Sequence, residues 1–392
     1  MVLDLVIMAL LLLMDLQIYQ KCGLQLELSH ITSKLPHRIE VKMTESAQSH
    51  RKDEHLSLGV KLWRQNTMPV IGATYDDVRW LPNTFPETSV SEVDVSTKLF
   101  EHHFKWPFYI EAMTGGSALT GRINMELAEV AAESNIAMAV GSQSIALKEP
   151  ETRDTFTIVR KKNPNGFLFA NLGADHPISN VRTAIDMIDA NAIELHVNAA
   201  QELVMAEGDR KFYWLDNLAE IIAKSPVPVI IKEVGFGMSQ STFKQIADLN
   251  PAAINVGGAN GTNFSIIEQR RNRLSEAVNL DHYGLSTVES LLEAKMAKNN
   301  LPLIATGGIQ SVNHVITSLM LGASLTSSAG FMLTTLMEKG QKSLLEEINA
   351  WQVALPRLFT LLGAQNITEL QHKPLIYSPN LQNFIAQQKA SQ

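Results

Sequence analysis

The stretch AIELHVN, residues 192–198, decides how the chain is read. Side chains alternate across an extended strand, so Ile193, Leu195 and Val197 share one face while Glu194, His196 and Asn198 share the other. Three polar groups on one face of an apolar strand are costly to bury unless they line a cavity. The chain continues as Ala199-Ala200-Gln201-Glu202, carrying two more polar side chains past the strand end. A satisfied core network and an ordinary helix start is the plainer reading of the same residues.

Working outward, short apolar runs recur: PFYIEAM (107–113), AMAVG (137–141), GFLFANLG (166–173), PVIIKEVG (228–235), AAINVGG (252–258), LPLIATGG (301–308) and ASLTSSA (323–329). Helix-compatible segments separate them, which predicts an α/β chain with a parallel sheet covered by helices. Eight such units predict closure into a single (β/α)8 TIM barrel. Small and polar residues gather where the runs end, at Thr114-Gly115-Gly116, Gly141-Ser142-Gln143, Asn171, Asn198, Lys232 and Gly307-Gly308. Barrel enzymes carry their active sites at those ends. Residues 43–104 precede the first strand as a covering segment, and residues 259–285 form an insertion after strand six, read as an active-site lid.

The bulk numbers set limits. With 392 residues, 45% hydrophobic and 19% charged, the chain can bury a large core and is too charged for an integral membrane protein. A formal net charge of -7 favours neither nucleic acid nor an acidic membrane surface as partner. The single cysteine, Cys22, leaves no intramolecular disulfide, and no Cys/His metal cluster is visible, so a cytoplasmic setting is the simplest expectation. Leu5 to Met14 is an apolar run of ten residues, too short to span a bilayer, which needs about 20. It also lacks the basic start and cleavage site of a signal peptide. Residues 1–42 are therefore read as a disordered extension or a mis-assigned start, with the domain proper running from 43 to 392.

Three features speak of ligands. Lys232 sits near the end of IIKEVGFG (230–237), and a lysine inside a buried strand needs an anionic partner. A reduced flavin ring is one such partner, and an ion pair with Glu233 or Glu194 is another. Gly307-Gly308 and Thr326-Ser327-Ser328 end strands seven and eight, where barrels often bind phosphate through backbone N–H groups. Arg51-Lys52-Asp53-Glu54-His55 is a charge run that would ordinarily be a solvated helix face.

The segments RKDEH, AMTGG, GSQ, NLGA, HVNAAQELVMAEGDR, IIKEVGFG, GTNF and ATGGI occur in this order between about His50 and Ile376. In that order they resemble the type 2 isopentenyl-diphosphate isomerase family. The resemblance implies an oligomeric barrel enzyme (tetramer or octamer) that isomerises isopentenyl diphosphate to dimethylallyl diphosphate in isoprenoid biosynthesis, using FMN, NADPH and Mg2+. It implies that Met113, Thr114, Gly115, Ser142, Asn171, Lys232 and Thr262 contact FMN, and that Gly308, Ile309, Gln310, Thr326 and Ser327 hold its phosphate. Arg51, Lys52 and His55, with His196 and Asn198, would grip the substrate diphosphate. Gln201 would face the reacting end, Glu202 would bind Mg2+, and Glu268 is a candidate assisting acid or base.

The chain departs from the family pattern in places. Ser144 stands where many members have the arginine of GSQR, Gly257 where a serine would touch FMN, and Ser327 where glycine is common. A flavin oxidoreductase of 2-hydroxy acids and a degenerate flavin binder are the competing readings. Mass spectrometry of the native protein's N-terminus tests the Met43 start: no peptide upstream of Met43 is expected, and any such peptide refutes it.

Overall fold

Short β-branched and aliphatic runs, each too apolar to stand at a surface, form eight strands that pair only in parallel and close on themselves. They are β1 (Phe108–Ile110), β2 (Met138–Ala139), β3 (Leu168–Gly173), β4 (Ala192–Val197), β5 (Val229–Glu233), β6 (Ala253–Asn255), β7 (Leu303–Thr306) and β8 (Leu325–Ser328). All eight lie within the apolar runs read from the sequence. The structure, a computed structural model, describes residues 47–65, 70–205, 208–271, 280 and 282–390. The expected extension 1–42, the Arg51 side chain and residues 272–279 of the expected lid lie outside the described residues. Among the described residues no helix is long and apolar enough to cross a membrane.

Alternation sorts each strand's side chains between two environments. Outward residues such as Ile193, Leu195, Ile231, Ile254 and Ala305 join the large core beneath the helices. Inward residues form a second, smaller core of Tyr109, Phe169, Ala192, Ile230, Ala253, Ile304 and Leu325. One inward position further along every strand but β2, where Gly141 follows, the side chains turn polar: Glu111, Asn171, Glu194, Lys232, Asn255, Thr306 and Ser327. The barrel is thus apolar at its N-terminal end and polar towards its C-terminal end.

Tyr109 joins the two layers. Its ring stacks on Phe169 with centroids 4.8 Å apart, while its hydroxyl donates to Glu194 Oε1 at 2.9 Å.

The covering segment divides its work. The helix Ala47–Gln65 places Lys52, His55 and Trp63 on the cavity at the C-terminal end. The hairpin Thr97–Leu99/His102–Phe104 plugs the opposite end, with Leu99 and Phe104 packed into the inner core. Its two-residue turn puts Phe100 and Glu101 at φ 56° and 57°, the paired left-handed geometry that suits the twist of a hairpin. Another pairing escapes sequence inspection: Val78–Trp80 runs antiparallel to Leu375–Tyr377 near the chain's far end.

Phe169 is fully buried where the plug, Tyr109 and the barrel wall meet. Phe169→Ala should cost about 3–5 kcal/mol of unfolding free energy in denaturant titration, because the barrel cannot collapse onto the void.

Candidate active site

A cavity of about 510 Å³ opens at the C-terminal end of the barrel, and its floor is the inward polar layer. Lys232 is central to that floor. Its ammonium pairs with Glu111 Oε1 at 2.5 Å and stands 3.5 Å from Glu194 Oε2. Glu111 is fully engaged as an anion. Its Oε1 also accepts from the Ala112 N–H at 2.7 Å, and its Oε2 accepts from Ser327 (2.6 Å), Asn255 (2.9 Å) and Thr306 (3.1 Å).

Burial alone would raise the Glu111 carboxyl, but the Lys232 ammonium and these donors hold it below the usual range. Glu194 moves the other way, pushed up by burial and by the negative charge of Glu111. Burial would lower Lys232, and the two carboxylates outweigh it and keep the ammonium charged. One lysine is therefore balanced by one carboxylate, with a second carboxyl close by that favours its proton.

The strand-four row works as a unit. Asn171 donates its Nδ2 to Glu194 Oε2 at 3.2 Å, which turns its Oδ1 towards His196 Nδ1 at 2.9 Å. Nδ1 must then carry the proton, and Nε2 is left as an acceptor. Burial, reinforced by the charges of Lys52 and Lys232, lowers the His196 pKa to about 3. Beyond the strand end Asn198 donates to Glu202 Oε1 at 2.8 Å, and the Asp209 N–H donates to Glu202 Oε2 at 2.8 Å. Gln201 stands beside them on the cavity wall.

The opposite wall is backbone. Gly307 and Gly308 have φ 112° and 71°, a path that favours glycine, and a Cβ on Gly307 would lie 2.0 Å from the Gly258 carbonyl. Gly257 has φ 47°, and a Cβ there would stand 1.8 Å from the Glu233 carbonyl. The serine common in related chains cannot occupy this backbone without a shift. Ala329 and Gly330, at the start of the helical segment Gly330–Leu361, which breaks at Gly340, complete this side, so a helix N-terminus without a side-chain cap stands at the cavity.

The structure gathers most of the residues expected from sequence. Lys52, His55, Met113, Ser142 and Asn171 line the cavity, as do His196, Asn198, Gln201, Glu202 and Lys232. Gly257, Thr262, Gly308, Ile309 and Ser327 line it as well. Four expected flavin contacts sit elsewhere. Thr326 faces out of the barrel, its hydroxyl donating to the Pro107 carbonyl at 3.0 Å, because alternation points only Leu325 and Ser327 inward. Gln310 is exposed. Thr114 and Gly115 are buried beside the cavity rather than on it, with Gly115 against the Phe156 ring. Glu268 is fully buried beside His55, whose Nε2 lies 2.6 Å from its Oε1.

Sequence reading missed Glu111, Ser144, Lys148, Asp175 and His176, all on the lining.

The donor set suits a flavin mononucleotide: a paired lysine on the cavity floor, and glycine backbone with a helix N-terminus for a phosphate. It also suits Mg2+, since the two Glu202 oxygens, which accept from Asn198 and the Asp209 N–H, each have a further lone pair, and Mg2+ takes few protein carboxylates. Among the described residues no cluster of three metal-ligating side chains exists, so other ligands to such an ion would come from substrate and water.

Comparisons with known proteins agree with this geometry. Residues 149–377 match the FMN-dependent dehydrogenase family. The chain is 52% identical to the isopentenyl-diphosphate delta-isomerase of Lactococcus lactis, covering 89% of this chain and 100% of that one. It is 43% identical to the protein of the same name from Latilactobacillus sakei (90% and 99% covered). Among solved structures, a flavocytochrome b2 variant (TM-score 0.58, 17% identity, 86% and 81% covered) and a mandelate oxidase variant (0.59, 14%, 82% and 98%) share the fold.

The paired carboxyls fix a stability trend with pH. Because the Glu194 pKa is raised in the folded protein, its contribution is full below the ordinary value of 4.5 and is lost as pH rises through the shifted value. Thermal melts should therefore show a smaller loss of stability above pH 4.5 in Glu194→Gln than in the wild type. Parallel curves would show that Glu194 does not hold its proton.

Proposed function

The chain belongs to the FMN-dependent, type 2 isopentenyl-diphosphate delta-isomerase family, and on that premise we propose that it converts isopentenyl diphosphate to dimethylallyl diphosphate. The observation that carries the reading is the convergence, in one cavity, of the row His196, Asn198, Gln201 and Glu202 with Lys52 and His55 above a lysine floor. Such a cavity offers cations and donors for a diphosphate, one carboxylate for Mg2+, and an apolar-to-polar path for a short alkenyl chain.

Moving a double bond protonates one carbon and deprotonates another, and ordinary side-chain acids are weak towards an unactivated alkene. Reduced FMN supplies that acid–base chemistry when bound, and NADPH serves only to reduce it, since isomerisation has no net redox change. The chain's own residues do the rest. Lys232 and Asn171 hold the flavin from the floor, while Gly308, Ile309 and the helix starting at Gly330 take its phosphate. Arg51, Lys52, His55 and Asn198 bind the diphosphate together with Mg2+ on Glu202. Gln201 orients the alkene end, where an uncharged amide can lie against developing positive charge without forming an adduct. Glu268 holds the His55 ring in place, a positioning role rather than direct acid–base work.

The 2-hydroxy-acid oxidase reading has the fold in its favour. Such a site needs arginines to hold a carboxylate, and among the described residues no arginine lines the cavity.

Anaerobic turnover of isopentenyl diphosphate with FMN, Mg2+ and NADPH tests the proposal. The wild type should form dimethylallyl diphosphate only with reduced flavin, and Gln201→Ala should lose about 100-fold in kcat, the cost of a misplaced reacting end. A flavin-loaded wild type that forms no product rules the isomerase out.

A further inference from the structure

The glycine turn after β7 is held from behind by side chains that take no part in the reading above. Thr287 Oγ1 lies 2.7 Å from the Thr306 carbonyl and 2.9 Å from the Gly307 carbonyl. His314 Nδ1 lies 3.0 Å from the Gly308 carbonyl, and Ser328 Oγ donates to the Ile309 carbonyl at 2.7 Å. Thr287 and His314 stand off the cavity lining, whereas Gly307, Gly308 and Ile309 are on it.

The direction of these bonds sets the direction of the N–H groups. In a trans peptide the carbonyl and the N–H that follows it point opposite ways. With the Gly307 and Gly308 carbonyls turned to Thr287 and His314, the N–H groups of Gly308 and Ile309 are left to the cavity side. Neither meets a backbone acceptor among the described residues. A carbonyl only accepts, so the Gly308 contact needs the imidazole proton on Nδ1. The Gln310 nitrogen also lies 3.3 Å from Nδ1, and the shorter contact decides the tautomer.

His314 is itself held by the covering segment. Its ring stacks on Tyr75, with centroids 4.4 Å apart and planes 11° from parallel. The Tyr75 hydroxyl lies 3.0 Å from Ser318 Oγ, one turn further along the same helix, Val312–Met320. Asn260, beside Gly308, fastens that segment to the loop after β6. Its Oδ1 accepts from the Ile71 N–H at 2.8 Å, and its Nδ2 donates to the Ile71 carbonyl at 2.9 Å.

We propose that His314, backed by Tyr75, is a positioning residue for the flavin's phosphate: it fixes the Gly308 peptide so that the Ile309 N–H is presented to a phosphoryl oxygen. The proposal rests on the flavin site of the isomerase reading, and it gives the covering segment a task at the phosphate end as well as at the mouth. A donor already aimed at its anion loses no freedom when the anion arrives, so the clamp acts on affinity for the phosphate and not for the ring system.

The test is fluorescence titration of the flavin-free full chain with FMN and, separately, with riboflavin, which lacks the phosphate. His314→Phe keeps a ring on Tyr75 and removes the donor. It should weaken FMN binding about tenfold, the worth of one hydrogen bond, and leave riboflavin binding unchanged. Tyr75→Leu leaves the imidazole and removes its stack, and it should shift the FMN-to-riboflavin ratio in the same direction, so the clamp stays testable if His314→Phe folds poorly. Equal weakening of both flavins marks a merely structural role and overturns the proposal, as does an unchanged ratio in both variants. A wild type that binds riboflavin as tightly as FMN has no phosphate cradle, and the proposal falls while turnover still decides the isomerase reading. A wild type that binds neither flavin overturns both.

Discussion

A buried ammonium is the constraint around which the rest of this barrel is arranged. Lys232 cannot remain charged inside a protein without an anion in contact, and removing one partner of such a pair typically costs about 3–5 kcal/mol. Glu111 meets the need from β1 and Glu194 from β4, so three strands are tied at one level. Glu111 in turn needs donors, and Asn255, Thr306 and Ser327 supply them from β6, β7 and β8. The polar layer is consistent only as a whole. It also divides the interior, because Tyr109 ends the apolar layer with its ring and begins the polar one with its hydroxyl.

Much of this was legible in the sequence because period and composition speak directly to a buried parallel sheet. All eight strands fall inside the apolar runs, and the alternation of AIELHVN placed Glu194, His196 and Asn198 on the cavity side. The same argument applied to PFYIEAM would have exposed Glu111, which shares its face with Tyr109 and Met113. Alternation would likewise have turned Thr326 outward, since Leu325 and Ser327 face in.

Other features leave no local trace. Ser144 and His176 meet across neighbouring strand ends from positions far apart in the chain, as do Val78–Trp80 and Leu375–Tyr377. Only the closed barrel brings them together. The departure at Gly257 looks like a lost flavin contact in the sequence and is a backbone requirement in the fold, where loops after β5 and β6 touch main chain to main chain. A residue pattern reports chemistry lost at such a position and is silent about the geometry that demanded the loss.

The cover over the cavity joins segments from opposite sides of the barrel sequence. Leu62 of the N-terminal helix packs with Ile266 and Ile267 of the helix after β6, and His55 pairs with Glu268 between the same two elements. The docking of this early-made helix is staged along the chain: Asp53 accepts from the Ser117 hydroxyl just after β1, whereas the Leu62 and His55 contacts wait for the helix after β6. The helix can therefore settle first on the opening β/α unit and complete its cover only once six of the eight strands have been made.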